Sequence, residues 1–212
     1  MSSTKNKILD AAETLFARDG YDATSLRSIT TEAEVNLAAV NYHFKSKEAL
    51  LQAVFARHLQ PLAEQRKAML EAYLATAGDS MIELEPILSA FIRPVLEVGS
   101  RELTGNGMAI QLLLGRMYSA PGDFAAKLFD ENIKDTLAQF RAALHRALPE
   151  LPVEETLWRL HFTIGAMAHT LAGASLLKMI SGGLCDTADM EKVERQLVAY
   201  TAAGLRAEVP KV

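Results

Sequence analysis

Apolar residues recur at helical spacing along almost the whole chain. Ile8, Leu9, Ala12, Leu15 and Phe16 line one face of an opening helix, with Asp10, Glu13 and Arg18 on its other faces. Gly20, directly after Asp19, is a stop signal. Thr24 or Ser25 caps a second helix that turns Leu26, Ile29 and Ala33 inward. A third begins near Asn36 and carries Val40. Phe44-Lys45-Ser46 is a short connection into one long helix from Lys47 to about Leu74, striped by Leu50, Leu51, Val54, Phe55 and Leu59. Pro61 falls inside that helix and predicts a kink or a register change. Thr76 to Ser80 reads as an internal boundary. Helical patterns follow at about 83–98, 106–119, 123–147, 153–180 and 188–207, and no alternating strand pattern of useful length occurs. The predicted fold class is all-α: a small N-terminal three-helix domain followed by a larger helical one.

Composition changes this picture little. The net charge is −4. Residues 1–47 hold as many acids as bases, so the excess of acid lies in the rest of the chain. Any affinity for nucleic acid must therefore come from arrangement rather than bulk charge. The single cysteine, Cys185, excludes an intrachain disulfide and suits a reducing cytoplasm. No apolar leader precedes the first helix. The most membrane-like stretch, 162–180, contains His169 and Lys178 and reads as a buried helix, with no membrane partner expected.

Three short helices leading into a long one have the layout of a helix-turn-helix with a connecting helix. Helix two packs across helix three through Leu26, Ile29 and Val40, and Val35 plugs the angle between them. Helix three, Leu37 to His43, is then free to enter the major groove of DNA, which is wide enough to admit a helix. Leu37, Ala38 and Ala39 are small or apolar and permit close approach, including to thymine methyls. Asn41 has the donor–acceptor pair to read a base edge. Asn36, Tyr42 and His43 suit phosphates or bases, and Thr24 and Ser25 at a helix start suit phosphate. Arg27 and Lys47 add charge beside the backbone. Helix-turn-helix turns commonly contain glycine, and here Glu34 stands at that position.

The remaining helices show two further features. Residues 153–180 contain Gly165, Ala166, Ala168, Ala172, Gly173, Ala174 and Ser175, which allow close helix approach. The last helix has Met190, Val193, Leu197, Val198, Ala203 and Leu205. Two adjacent helices with broad apolar faces suggest a subunit interface over about 153–180 and 188–207. Leu112, Met117, Trp158 and Phe162 are candidates to line a site for a small apolar effector, with Arg116, His161 or Arg93 as the polar group that holds a carboxylate or thioester head. No phosphate-cradling glycine loop, nucleophile elbow or metal-ligand cluster is present, so neither an enzyme nor a cofactor is expected. An all-helical protein-interaction adaptor without DNA binding is the competing class, and it leaves Asn36 to Lys47 without a purpose.

The run from Thr24-Ser25-Leu26-Arg27 through Ala33-Glu34-Val35-Asn36-Leu37-Ala38-Ala39-Val40-Asn41-Tyr42-His43-Phe44-Lys45-Ser46-Lys47 is similar to the DNA-binding signature of the TetR family. Ile8 to Tyr21 is similar to that family's first helix and turn; Glu34 departs from its usual glycine. The wording of Val35 to Phe44 and of Leu157 to Ala166 resembles the PsrA-type branch, which responds to long-chain fatty acids. The resemblance implies a transcriptional regulator, usually a repressor. Residues 1–47 would bind DNA, and 48–212 would bind an effector and dimerise. It further implies a homodimer on a palindromic double-stranded operator, released when a small molecule such as a fatty acid or acyl-CoA changes the spacing of the two heads. The last two long helices would pair with their copies as a four-helix bundle.

Overall fold

The computed structural model describes residues 3–78, 82–102 and 122–210. Every regular element among them is helical: α1 (Thr4–Asp19), α2 (Leu26–Glu32), α3 (Leu37–Phe44), α4 (Lys47–Ala77), α5 (Leu84–Glu102), α6 (Gly122–Asn132), α7 (Lys134–Ala147), α8 (Val153–Ala172), α9 (Ala174–Ile180) and α10 (Met190–Arg206). The all-α class expected from periodicity is the observed one. The helix expected at 106–119 lies outside the described residues.

Packing divides the chain into two compact units, residues 1–61 with 103–133 and residues 62–102 with 134–212. The first is built on the apolar faces of α1 to α3. Ile8, Ala12, Leu15 and Phe16 of α1 meet Ile29 of α2 and Val40 and Phe44 of α3. Leu50, Val54 and Phe55 of α4 and Leu128 of α6 complete this core, so its packing carries past residue 47. Val35, partly buried, packs against it as expected of the plug in the turn. α4 stays helical through Pro61, although proline has no N–H to return to the preceding turn.

The second unit is centred on α5. Ile87, Leu88, Phe91 and Ile92 are buried against Phe140 and Leu144 of α7, Leu160 and Met167 of α8, and Leu197 and Leu205 of α10. Phe91 and Phe140 meet edge to face at 5.0 Å. Two buried polar residues fix the end helices. Glu194 on α10 accepts from Ser89 and from Arg93 Nε at 2.9 Å. Arg159 on α8 donates to the carbonyls of Gly204 (3.0 Å), Leu205 (2.8 Å) and Ala207 (2.8 Å), capping the open end of α10. The last carbonyls of a helix have no donors of their own, and a guanidinium supplies several in one plane.

Two expected helices are each broken in two. The pattern at 123–147 is interrupted at Ile133, after Asn132, whose side-chain amide donates to Leu128 O at 3.1 Å and competes with the backbone ladder. The pattern at 153–180 is interrupted at Gly173, with a 72° bend between α8 and α9. A Cβ at Gly173 would sit 2.9 Å from His169 O, so the bend requires glycine there. No single helix among the described residues is long and apolar enough to cross a membrane.

Candidate nucleic-acid interface

The recognition module is assembled by caps. Gly20 ends α1 at φ 90°, its N–H returning to Phe16 O at 3.1 Å. Ser25 opens α2 by a reciprocal capping pair: its hydroxyl accepts from Ser28 N–H, and the Ser28 hydroxyl accepts from Ser25 N–H, each at 3.0 Å. α2 closes in a Schellman arrangement, with Val35 N–H on Thr30 O (3.0 Å) and Glu34 N–H on Thr31 O (3.3 Å). Glu34 occupies the left-handed region at φ 54°, a conformation that favours glycine. A non-glycine residue there costs ~1 kcal/mol.

Asn36 then caps α3, its side-chain oxygen accepting from Ala39 N–H at 2.9 Å. Val40 and Phe44, one turn apart, anchor the inner face in the core. The outer face carries Asn36, Leu37, Ala38, Asn41 and Tyr42, all exposed; Tyr42 reaches 82%. Ala39 lies between the faces, partly buried against the core. His43 is half-buried with its ring edge-on to Tyr42 at 5.1 Å. Arg27 is exposed on α2.

One expected phosphate ligand is corrected. Thr24 is 2% exposed, and its hydroxyl donates to Gly20 O at 2.7 Å and approaches Leu15 O at 3.2 Å. That hydroxyl joins the α1–α2 turn to the end of α1 and is not presented to phosphate. Ser25 is exposed, but its hydroxyl already serves the cap.

The turn from α3 into α4 contains a feature that the sequence did not mark. Lys45 has φ 62° and ψ −37°, and Ser46 N–H bonds Phe44 O at 2.6 Å, a γ-turn of the rarer, strained hand. No Gly or Asn signals it. Ser46 then caps α4 by accepting from Ala49 N–H at 3.0 Å. Lys47 lies with its ammonium 4.2 Å from the centroid of the Tyr21 ring, which holds the long side chain in place. Burial, followed by the carboxylates of Glu48 and Asp22, raises the Tyr21 hydroxyl above its ordinary pKa.

Among the described residues, those expected to form an effector site do not converge on one pocket. Leu112, Arg116 and Met117 lie outside the described residues. Arg93 is paired with Glu194. Trp158, His161 and Phe162, named as candidates for the effector site, lie on an exposed face of α8, where Trp158 is 52% and Phe162 63% exposed. The Trp158 and Phe162 rings stack at 5.9 Å, and Trp158 and His161 border an open groove with Glu154 and Leu157. The reason is helical phase: Leu160, Thr163 and Met167 take the inward face.

A small helical module with one outward recognition helix, followed by a long helix, is the layout of a helix-turn-helix DNA-binding protein. Residues 8–54 match the family described as bacterial regulatory proteins, tetR family, and residues 89–204 match the tetracyclin repressor-like C-terminal domain. The chain belongs to the TetR family of transcriptional regulators. Its N-terminal region is 43% identical over 58 residues to the nicotine-responsive transcriptional repressor HdnoR of Paenarthrobacter nicotinovorans, covering 27% of this chain and 30% of that protein. The curated relatives are matched over only 24% to 46% of their length for the first three. Among solved structures, a TetR-family regulator from Bordetella parapertussis shares the fold with a TM-score of 0.66 at 20% identity, over 99% of this chain and 100% of that one. The fatty acid degradation regulator FadR from Bacillus halodurans shares it at 0.61 and 15% identity, over 98% of this chain and 99% of that one. These families and relatives are regulators, not enzymes.

Proposed function

We propose that the chain is a homodimeric repressor that binds a palindromic operator through α3 and is released by a small apolar effector, a long-chain fatty acid or acyl-CoA. The observation that carries the DNA-binding reading is the exposed row Leu37, Ala38, Asn41 and Tyr42 on a helix pinned from behind by Val40 and Phe44. Such a helix presents side chains to base edges without distorting its own support. Tyr42, Lys47 and Arg27 position the head on phosphates; Asn41 and Leu37 read bases. Residues 1–47 form the reading head, and 48–212 serve effector binding and dimerisation. Since its target is chromosomal DNA, the site of action is the cytoplasm.

Dimerisation is supported by the outer faces of α8 and α10. Leu157, Trp158 and Phe162 on α8 and Tyr200 on α10 are exposed, and small residues Gly165 and Ala203 accompany them. Large exposed apolar faces mark interfaces, and symmetric dimers are the commonest soluble assembly. Response to an effector is in keeping with the nicotine-responsive relative, and the acyl class rests on the likeness to the PsrA-type branch.

An electrophoretic shift with DNA from upstream of the protein's own coding region tests the reading. A saturable, sequence-specific shift that fatty acids or their coenzyme A esters reverse is the expected result. Failure to bind any palindromic site at low salt would favour an adaptor. Binding that neither ligand class reverses would remove the acyl effector and keep the repressor.

A further inference from the structure

The exposed stripe of α8 is graded in size along its length. Its first half carries Leu157, Trp158, His161 and Phe162, and its second half carries Ala168 and Ala172. These positions recur three and four residues apart, so they share one face. Gly165 stands between the halves. A Cβ at that glycine would meet nothing within 4 Å, so packing within the described chain does not require it. Glycine inside a helix is less stable than alanine, and what it offers in return is close approach of another backbone.

A two-fold axis beside Gly165 accounts for both observations. It sets two copies of α8 antiparallel. Trp158 and Ala172 are equally far from Gly165 along the helix, so Trp158 of each copy falls beside Ala172 of the other. The bulky half of one stripe then covers the small half of its twin, and one surface serves both copies, as a two-fold interface requires.

That pairing carries α9 towards the partner. α9 follows Ala172 directly after the bend at Gly173, and it buries none of its own residues. Leu176, Leu177, Met179 and Ile180 are exposed on it, and so is Leu184 in the turn behind. A helix this short does not hold in water without packing. Beside Trp158 lies the open groove bordered by Leu157, His161 and Glu154. The groove is apolar with one acid at its edge, and the segment 174–184 is apolar with one base, Lys178, so charge matches as well as shape. Area points the same way. The exposed parts of Val153, Leu157, Trp158, Phe162 and Tyr200 come to roughly 700 Å², taking 150–250 Å² for a whole large side chain. Obligate homodimers bury about 1,000 Å² or more per chain. The exposed apolar residues of 174–184 supply the difference.

We propose that α9 is an arm that reaches across to a second copy of this chain: α8 crosses its twin at Gly165, and each α9 closes the groove beside Trp158 of the partner subunit. This rests on the reading of the chain as a homodimer and adds to it the crossing point and the segment that changes sides.

Trp158 is the single tryptophan, so its emission reports on the groove. The test compares the full chain with the double variant Leu177→Gln and Ile180→Gln and with Gly165→Leu. Sedimentation velocity across a concentration series gives the dimer constant, and emission with acrylamide quenching gives the shielding of Trp158. Both arm residues are exposed and the space at Gly165 is open, so each single chain keeps its fold, which circular dichroism checks. Wild type is a dimer with Trp158 shielded. The arm variant weakens the dimer by roughly 10- to 100-fold and moves the Trp158 emission to the red. Gly165→Leu weakens the dimer at least as much, because it holds the two backbones apart. A dimer constant unmoved by the arm variant overturns the arm, and one unmoved by Gly165→Leu overturns the crossing point; the homodimer stands in both cases. Vesicles of phosphatidylglycerol that bind wild type and not the arm variant, with the dimer constant unmoved, would make α9 a membrane contact and overturn the arm. A wild type that is monomeric at every concentration overturns the homodimer as well.

Discussion

His58 Nε2 on α4 lies 3.1 Å from Glu13 Oε2 on α1, and the Glu13 carboxylate is almost wholly buried. Arg57 Nη1 approaches the same oxygen at 3.7 Å and bonds Asp10 on the solvent side. A carboxylate in this position is retained only because its oxygens are occupied. The pair fixes the first helix of the reading head to the helix that supports it.

Glu13→Leu is expected to lower stability by roughly 1–3 kcal/mol, because the hydrogen bond between His58 and Glu13 is lost at a partly buried site, while Arg57 keeps Asp10. Glu13→Gln keeps an acceptor and costs less. The double variant Glu13→Leu with His58→Leu recovers part of the loss, the signature of coupled neighbours. Urea unfolding of the four proteins measures this. A Glu13→Leu chain as stable as wild type would show that the pair does not hold the helices.

Glu34→Gly is expected to stabilise the chain by roughly 0.5–1 kcal/mol. It relieves the left-handed strain at φ 54°, and the added freedom of glycine in the unfolded chain offsets part of that gain. A shift of the thermal midpoint upward with operator affinity unchanged is the expected pattern. A lower midpoint would mean that the carboxylate makes a compensating interaction in the turn.

Glu34 and Thr24 together show what the sequence carried. The left-handed position at Glu34 was legible, since a turn of fixed length between two apolar stripes fixes the backbone whichever residue stands there. Thr24 was not, because a threonine ahead of a helix reads alike whether its hydroxyl faces phosphate or the carbonyls of Gly20 and Leu15. The outward placement of Trp158 and Phe162 was hidden for a different reason. α8 is apolar on two faces, so periodicity gives a helix without saying which face turns inward. The break at Gly173 was hidden by its apolar neighbours, since only the approach of His169 O makes that glycine obligatory.

Arg159→Met is expected to destabilise the second unit by roughly 2–4 kcal/mol, since several carbonyls at the end of α10 lose their donor in a buried place. Arg159→Lys recovers little, because an ammonium cannot span the carbonyls that the planar guanidinium reaches. The readout is the denaturation midpoint. A lysine variant equal to wild type would show that the charge alone suffices.

Phe162→Glu is expected to convert a dimer into monomer, measured by light scattering across a concentration series. Phe162 is exposed and stacked on Trp158, so the substitution leaves the core of a single chain untouched and places a charge on the proposed interface. Operator affinity falls with it, because two heads then bind independently. A Phe162→Glu chain that remains dimeric would place the interface elsewhere.

Substitutions on α3 separate positioning from reading. Tyr42, fully projecting, has a hydroxyl free to meet phosphate, so Tyr42→Phe weakens binding to every sequence by about the same factor and lowers the salt dependence little, since no charge is removed. Lys47→Ala weakens all sequences too, and it reduces the slope of log affinity against log salt by about one, as expected when one phosphate is no longer neutralised. Asn41→Ala behaves differently. Its amide offers a donor and an acceptor side by side, the pattern that recognises adenine, and its removal relaxes the preference at one base position by about 1–3 kcal/mol. Leu37→Ala shifts the preference at a thymine methyl. Competition binding against a library of operator variants measures all four. Equal, sequence-blind losses at Tyr42, Lys47, Asn41 and Leu37 would mean that α3 holds the backbone without reading bases.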